Sequence, residues 1–354
     1  MKKSKFKILL FVVLIGGCGL LQNCSSDDGG TTTPPPVVVN TAALDAAITS
    51  AANSIANTTE GTAVGNYTVG SQDILQTAIG NAQTIVDNAS STQAQVDAAL
   101  VSLNSAIDSY NAAVIEEIDP DNLVGHWKFD DGSGTTVADD SGNDFTGTFG
   151  AETMLDAAAA NPVWTADRFG TADKALLFDK GSKVTVPYNA AINPPMMSIS
   201  VWIRVDENRE SNRFIGLHEW VGYKFQTQSA DKAFFTSHTT EGTFDKDTDP
   251  PLVLGTWYHL VVTVGDGNTT FFINGAQTQQ WTDTPGTMFP DSTHDLTFGV
   301  GSSQYAAVDT DFDIDGIVPA AWGGYFHGAI DEIRIYKTIL SPTQVTSIFN
   351  AEKP

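Results

Sequence analysis

The stretch YHLVVTVGDGNTTFFINGAQT, residues 258–278, decides the fold class of the larger part of this chain. In YHLVVTV, Leu260, Val262 and Val264 fall on one face of an extended backbone, because successive strand side chains point to opposite sides. FFINGAQT sets Asn274-Gly275 between apolar runs, the strongest short-range signal for a two-residue hairpin. The pattern therefore predicts antiparallel strands.

Working outward, SISVWIRV places Ile199, Val201, Ile203 and Val205 on one face in the same way. From EEIDPDN (residues 116–122) onward the chain is rich in Gly, Trp and Phe, in short alternating runs without helical period. Residues 118–354 are expected to form an antiparallel β-sandwich. Residues 41–117 differ: they are rich in Ala, Ser, Thr and Asn, and their apolar positions recur every three or four residues. The stripes are Leu44, Ile48, Ala51, Ile55; Leu75, Ile79, Ala82, Val86; and Val96, Leu100, Leu103, Ile107, Tyr110, Val114. Three helices follow, the third opened by a capping box of Thr92 and Gln95. The expected fold class is multidomain, an N-terminal three-helix bundle followed by an antiparallel β-sandwich. Polar EEIDPDN reads as a linker between two units that fold separately.

The chain has 354 residues, 41% of them apolar, which is ample for a packed core. Its formal charge is −24, so it will not hold nucleic acid or anionic lipid by electrostatics. A neutral glycan, an anionic one bridged by a cation, or a protein is the easier partner.

The first residues carry four Lys, then an apolar run from Ile8 to Leu21 that is too short to span a bilayer comfortably and reads as the core of a signal peptide. Both cysteines, Cys18 and Cys24, sit there, so no disulfide framework or thiolate metal site is available. With Leu21 three residues before Cys24, the segment resembles a bacterial lipoprotein signal, and CSSDDGG resembles the acidic surface-export tag of Bacteroidetes lipoproteins. That resemblance implies a signal peptide at 1–23, a palmitate-type lipid on Cys24, a flexible tether at 24–40, and anchoring in the outer membrane at the cell surface. Cys18, preceded by LIGG, is the alternative; Cys24 is preferred because the Ser-Asp run starts directly after it. Cleavage before Cys24 would remove the four Lys and take the charge to −28.

GNYTVGSQDILQTAIGNAQTIV and TQAQVDAALVSLNSAIDSY resemble the FIVAR-type helical modules of bacterial surface proteins. LVGHWKFDDGSGTTVADDSGNDFTGT, ALLFDKGSKVTVP, ISVWIRV, GTWYHLVVTV, FFINGAQ and FHGAIDEIRIYKTILSPTQV, in that order over residues 121–352, resemble the laminin-G-like, concanavalin A-like jelly rolls. The resemblance implies fold more than function, because this architecture carries lectins, adhesins and enzymes alike.

Three chemistries have candidate residues. For catalysis, glycosidases need two facing carboxylates, and the spacings of sandwich-fold glycosidases are absent. Asp331 and Glu332 are adjacent, and in a regular strand would point to opposite faces. No enzyme is expected. For metal, the laminin-G resemblance implies a structural Ca²⁺ between the turn ADDSGND, with Asp140 and Asn143, and Asp331; turn preference alone also accounts for the Asp and Asn. DTDFDIDG carries Asp311, Asp313 and Asp315 at calcium-loop spacing, but Trp322 stands where the loop's bidentate Glu belongs. A Ca²⁺ site and a solvated acidic strand edge are both open readings of it.

For glycan, sugar rings stack on exposed aromatics. Trp127, Trp202 and Trp257 lie in the resemblance blocks and are expected to pack. Trp220, Tyr223, Trp281, Trp322 and Tyr325 lie between blocks and are the candidates, with Trp322 and Tyr325 the leading pair. These features point to a surface-anchored lipoprotein that captures extracellular polysaccharide for an uptake system. The competing expectation is an adhesive or accessory subunit binding a protein partner such as an outer-membrane transporter.

Overall fold

The computed structural model describes residues 39–354 apart from 62, 208–210, 219–220, 291–293, 302–303, 307–316 and 320–323. The export segment with Cys18 and Cys24, the tether up to residue 38, Asp311, Asp313, Asp315, Trp220 and Trp322 lie outside the described residues. Among the described residues no helix is long and apolar enough to cross a membrane.

The three amphipathic stripes form helices α1 (Ala42–Ala56), α2 (Ser71–Asp87) and α3 (Gln93–Asn111). Leu44 and Ala51, then Leu75, Ile79 and Ala82, then Val96, Leu103 and Tyr110 are buried between them. The capping box is formed: Gln95 N donates to Thr92 Oγ1 and Thr92 N donates to Gln95 Oε1, satisfying two helix-end donors reciprocally. Val114 lies past the end of α3 and instead bridges to Tyr67, whose ring stacks on Tyr110 at 4.4 Å.

The remainder is a sandwich of two eight-stranded antiparallel sheets. The strands are β1 (Leu123–Trp127), β2 (Thr136–Val137), β3 (Gly147–Ala151), β4 (Val163–Thr165), β5 (Ala175–Phe178), β6 (Ser182–Val186), β7 (Met197–Val205), β8 (Asn212–Leu217) and β9 (Tyr223–Gln228). They continue as β10 (Lys232–Thr239), β11 (Gly242–Asp247), β12 (Trp257–Gly265), β13 (Asn268–Ile273), β14 (Ala276–Trp281), β15 (Leu296–Phe298), β16 (Gln304–Ala306), β17 (Ile317–Pro319) and β18 (Gly328–Tyr336). The first sheet runs β14-β13-β12-β7-β18-β5-β4, with β1 also paired to β18; the second runs β11-β10-β9-β8-β15-β6-β3-β2. A parallel pair, β16 and β17, stands outside both.

The inward residues of the two sheets build one core, in which Ile199, Val201, Ile203 and Val205 of β7 face Phe214, Phe225 and Phe298 of the second sheet. Each fully buried aliphatic or Phe side chain of this kind contributes about 1.5–3 kcal/mol. The hairpin forms as its sequence demands: Asn274 and Gly275 both take positive φ (51° and 79°), the backbone twist that matches two adjoining strands.

One element was not anticipated. Helix α4 (Pro342–Glu352) covers the outer face of the first sheet, packing Val345 and Ile348 on Val261, Phe272, Tyr336 and Leu340. Ser341 and Gln344 close its capping box, and Pro342 occupies the first turn. The hairpin glycine serves this contact too, since a Cβ on Gly275 would sit 2.9 Å from the Phe349 ring. EEIDPDN is seated rather than free. Ser341 Oγ donates to Glu116 Oε2 at 2.8 Å, Gln344 Nε2 donates to the Glu117 carbonyl at 2.9 Å, and Ile118 packs on the α4 cluster.

Candidate functional site

The turn ADDSGND is organised by Asp139. Its Oδ1 accepts from the backbone N–H of His126 and Ser141, each at 2.9 Å, while Oδ2 accepts from Ser141 Oγ (2.8 Å) and Phe145 N (3.0 Å). Asn143 Nδ2 donates to the Leu123 and Val124 carbonyls at 3.2 and 2.9 Å, tying the turn to β1. Asp140 points out to Lys128, 3.5 Å away.

The residues expected to hold calcium have other partners in this geometry: Asp140 faces Lys128 and Asn143 donates to main-chain carbonyls. Asp331 is buried on the outer face of the first sheet and pairs with the Arg168 guanidinium, which already stands where a cation would. The donor set does not fit Ca²⁺, and among the described residues no group of three or more His, Cys, Asp or Glu is arranged to hold a metal ion.

Asp331 and Glu332 also depart from strict alternation. The β7–β18 register shifts between Asp331 and Arg334, and Glu332 takes φ 52°, a bulge that turns both carboxylates toward Arg168. His126 Nε2 lies 2.8 Å from Glu332 Oε2, Arg334 Nη2 lies 3.1 Å from the same oxygen, and Arg334 Nη1 pairs with Glu352 at the end of α4. Trp202 Nε1 donates to Glu352 Oε2 at 2.8 Å, and Arg168 Nε donates to the Glu352 carbonyl at 2.7 Å.

Burial pushes the Asp331 carboxyl up to about 8, against the opposing pull of Arg168. Burial pushes Glu332 up as well, but the His126 hydrogen bond and the charges of Arg334, His126 and Arg168 outweigh it and hold Glu332 below its ordinary value. His259, bonded to Ser200 Oγ at 2.8 Å, is driven down to about 3 by burial and by the charges of Arg334 and Arg168. This cluster fastens α4 to the sheet. Its carboxylates are paired with Arg and His and largely covered, an arrangement suited to holding structure.

The aromatic candidates divide by the sheet pleat. Tyr223 is fully buried in the core with its hydroxyl donating to the Ile192 carbonyl at 2.8 Å, so it presents no ring to a ligand. It starts β9, where it alternates inward with Phe225. Trp281 is half-buried against the core, its Nε1 donating to the Asp247 carbonyl at 2.9 Å. Tyr325 is half-buried, bridges to Val300, and reaches Asp156 at 3.5 Å. Trp127 and Trp202 are buried, and Trp257 is half-buried beneath the Arg204 guanidinium at 5.6 Å.

A polar cleft of about 690 Å³ opens beside the Asp139 turn. Its walls come from four separate segments: Asp121 of the turn Pro120–Asn122, Ser141, Asn143 and Phe145 of the ADDSGND region, Asn189 before the short helical turn Ala190–Ile192, and Lys337 just past β18. Asp121, Asn189 and Lys337 are exposed, while Ser141 and Phe145 are half-buried. The volume is within the range of small-ligand sites, about 300–1,000 Å³. Amide, hydroxyl, carboxylate and ammonium groups around one aromatic ring suit a ligand rich in hydroxyls.

Comparison with known proteins places the sandwich. Residues 178–346 match the concanavalin A-like lectin/glucanases superfamily. Over 83 residues the chain is 41% identical to the surface-layer 125 kDa protein of Lysinibacillus sphaericus, a match covering 22% of this chain and 7% of that protein. The chain thus spans a small fraction of that relative's length. Among solved structures, domain 4 of AbnA, a GH43 extracellular arabinanase from Geobacillus stearothermophilus, determined with arabinotriose, superposes with a TM-score of 0.49 at 23% identity, covering 64% of this chain and 98% of that one. The binding domain of Paraclostridial Mosquitocidal Protein 1 gives 0.46 at 17% identity, covering 66% and 52%.

Proposed function

We propose that this protein binds extracellular glycan at the cell surface without cleaving it. The observation that carries this reading is the polar cleft at the Asp139 turn, on a sandwich of a superfamily named for lectins and glucanases. A neutral saccharide would lay a ring face on Phe145 and exchange hydroxyl hydrogen bonds with Asn189, Asp121 and Lys337. The charge of −24 favours neutral over anionic glycan. The carboxylates of buried Asp331 and half-buried Glu332 and Glu352 are held by Arg and His and do not line the cleft, which supports capture rather than hydrolysis.

The test is a glycan array on the chain and on a Lys337→Ala, Asp121→Ala double variant, whose two side chains are exposed. The variant should lose binding by about tenfold or more, equivalent to about 1.4 kcal/mol. Equal binding by both proteins would move the site elsewhere on the sandwich.

In this reading Cys24 carries the lipid, since two acyl chains give stable anchoring where one is marginal. Palmitate labelling should vanish in Cys24→Ala and persist in Cys18→Ala; the reverse pattern would assign the lipid to Cys18. Outer-membrane placement and service to a polysaccharide uptake system rest on that anchor. The similarity to a surface-layer protein is in keeping with a surface location. A second reading is an adhesive or accessory subunit that binds a protein of the outer membrane. Silence on the glycan array together with co-purification of an outer-membrane protein would select it.

A further inference from the structure

Helices α2 and α3 pack side by side, and two cavities open in succession along their seam, neither lined by a residue of α1; together they mark out a groove. One end is a cavity of about 440 Å³ floored by Ala78, Ala82, Ile85, Ala98, Ala99 and Leu103. The other, about 250 Å³, is bordered by Val69 and Ile74 and closed by Asn350 and Lys353 of the C-terminal segment. Both lie along α2, whose 17 residues extend about 25 Å. The alanines let another backbone approach closely, and two large aliphatic residues on the rim face solvent, Val69 at 76% and Ile74 at 68% exposure. Such a trough is what an amphipathic helix fills with its apolar face.

The helices around it carry charge of one sign, Lys353 at the end of the second cavity being the basic exception. Residues 41–117 contain eight Asp and Glu and no Lys, Arg or His. A second copy would bring another acidic bundle on a chain of −24, so like charges oppose self-docking. An anionic membrane surface is repelled for the same reason.

We propose that the α2–α3 groove docks a basic amphipathic helix of a protein partner, its apolar face on the alanine floor and its Lys and Arg flanks against the acidic bundle. This site is separate from the glycan cleft and stands or falls independently of it. The probe is a synthetic helix of Leu, Ala and Lys in heptad order, with a counterpart carrying Glu for Lys, titrated into the full chain and followed by fluorescence anisotropy. The Lys helix should bind and weaken with added salt, and the Glu helix should not bind.

Ile74→Lys with Ala98→Lys, two exposed helix positions that accept Lys, should weaken binding about tenfold or more. Ala98→Trp, which fills the groove without adding charge, should do the same, whereas Val101→Lys, outside both cavities, should leave binding within about twofold. Circular dichroism of each variant reports that the helices are intact. Binding unchanged by both groove variants, or equal binding of the Glu helix, overturns the proposal. So does sedimentation showing a dimer that the groove variants dissolve, which would make the occupant a second copy.

Discussion

Replacing Arg168 by Met is expected to destabilise the chain by about 3 kcal/mol above pH 8, where Asp331 is ionised, within the range for breaking a buried ion pair by removing one partner. Arg168 is 6% exposed and Asp331 2%, so water cannot take over the lost contacts. The substitution also removes the bond to the Glu352 carbonyl and the guanidinium lying 5.0 Å from the Trp202 ring centre, both of which hold the end of α4. Without Arg168, the Asp331 carboxyl stays protonated to still higher pH rather than remain a bare buried charge. The penalty should therefore grow as pH rises through 8, where the wild type ionises Asp331 against Arg168 and the variant cannot. Adding Asp331→Leu to Arg168→Met should recover much of the loss, because a buried pair exchanged for apolar groups is often neutral or better. Urea midpoints for the four proteins of this cycle measure it. Additive losses, with no recovery in the double variant, would show that the pair does not act as a unit.

The second large expectation is a stability plateau in mildly acidic solution. Asp331, ordinarily 3.8, is pushed up to about 8 in the fold. Between those values the folded chain keeps a proton that the unfolded chain has lost, so this group's contribution falls as pH rises, by about 1.4 kcal/mol per unit. His259, ordinarily 6.5, is driven to about 3. Between those values the unfolded chain takes a proton that the folded chain refuses, so this contribution rises with pH at the same slope. The two cancel from about pH 4 to 6.5. Above that window Asp331 alone lowers stability toward pH 8, and below it His259 lowers stability toward pH 3. In His259→Gln the compensation disappears, and stability should decline steadily from about pH 4 to 8. Denaturant unfolding across that range reads both curves; a variant that keeps the wild-type plateau would remove His259 from the account.

Much of the architecture could be read from residue periodicity. Ile199 to Val205 and Leu260 to Val264 face the core because alternation is a local property of a half-buried strand. The three helical stripes and the Thr92–Gln95 box are equally local. Helix α4 carries the same signal, Ser341 three residues before Gln344 with Pro342 between, but its apolar stripe is too short to announce a helix by period. Tyr223 lies between the resemblance blocks and so is expected at a ligand face, whereas its alternation with Phe225 marks it as core. The bulge that brings Asp331 and Glu332 to one side depends on a single positive φ at Glu332, which alternation cannot encode. The cleft escaped for a different reason. Asn143 was identified with its turn, but Asp121, Asn189 and Lys337 come from segments far apart in the chain that only the folded sandwich brings together.

The most direct test of glycan capture is titration calorimetry of the full chain with the saccharide that the array selects, run alongside an assay for new reducing ends. The account predicts heat of binding that falls about tenfold or more in affinity for the Lys337→Ala, Asp121→Ala double variant, with the saccharide recovered intact. Release of new reducing ends, or undiminished affinity in that variant, would contradict it.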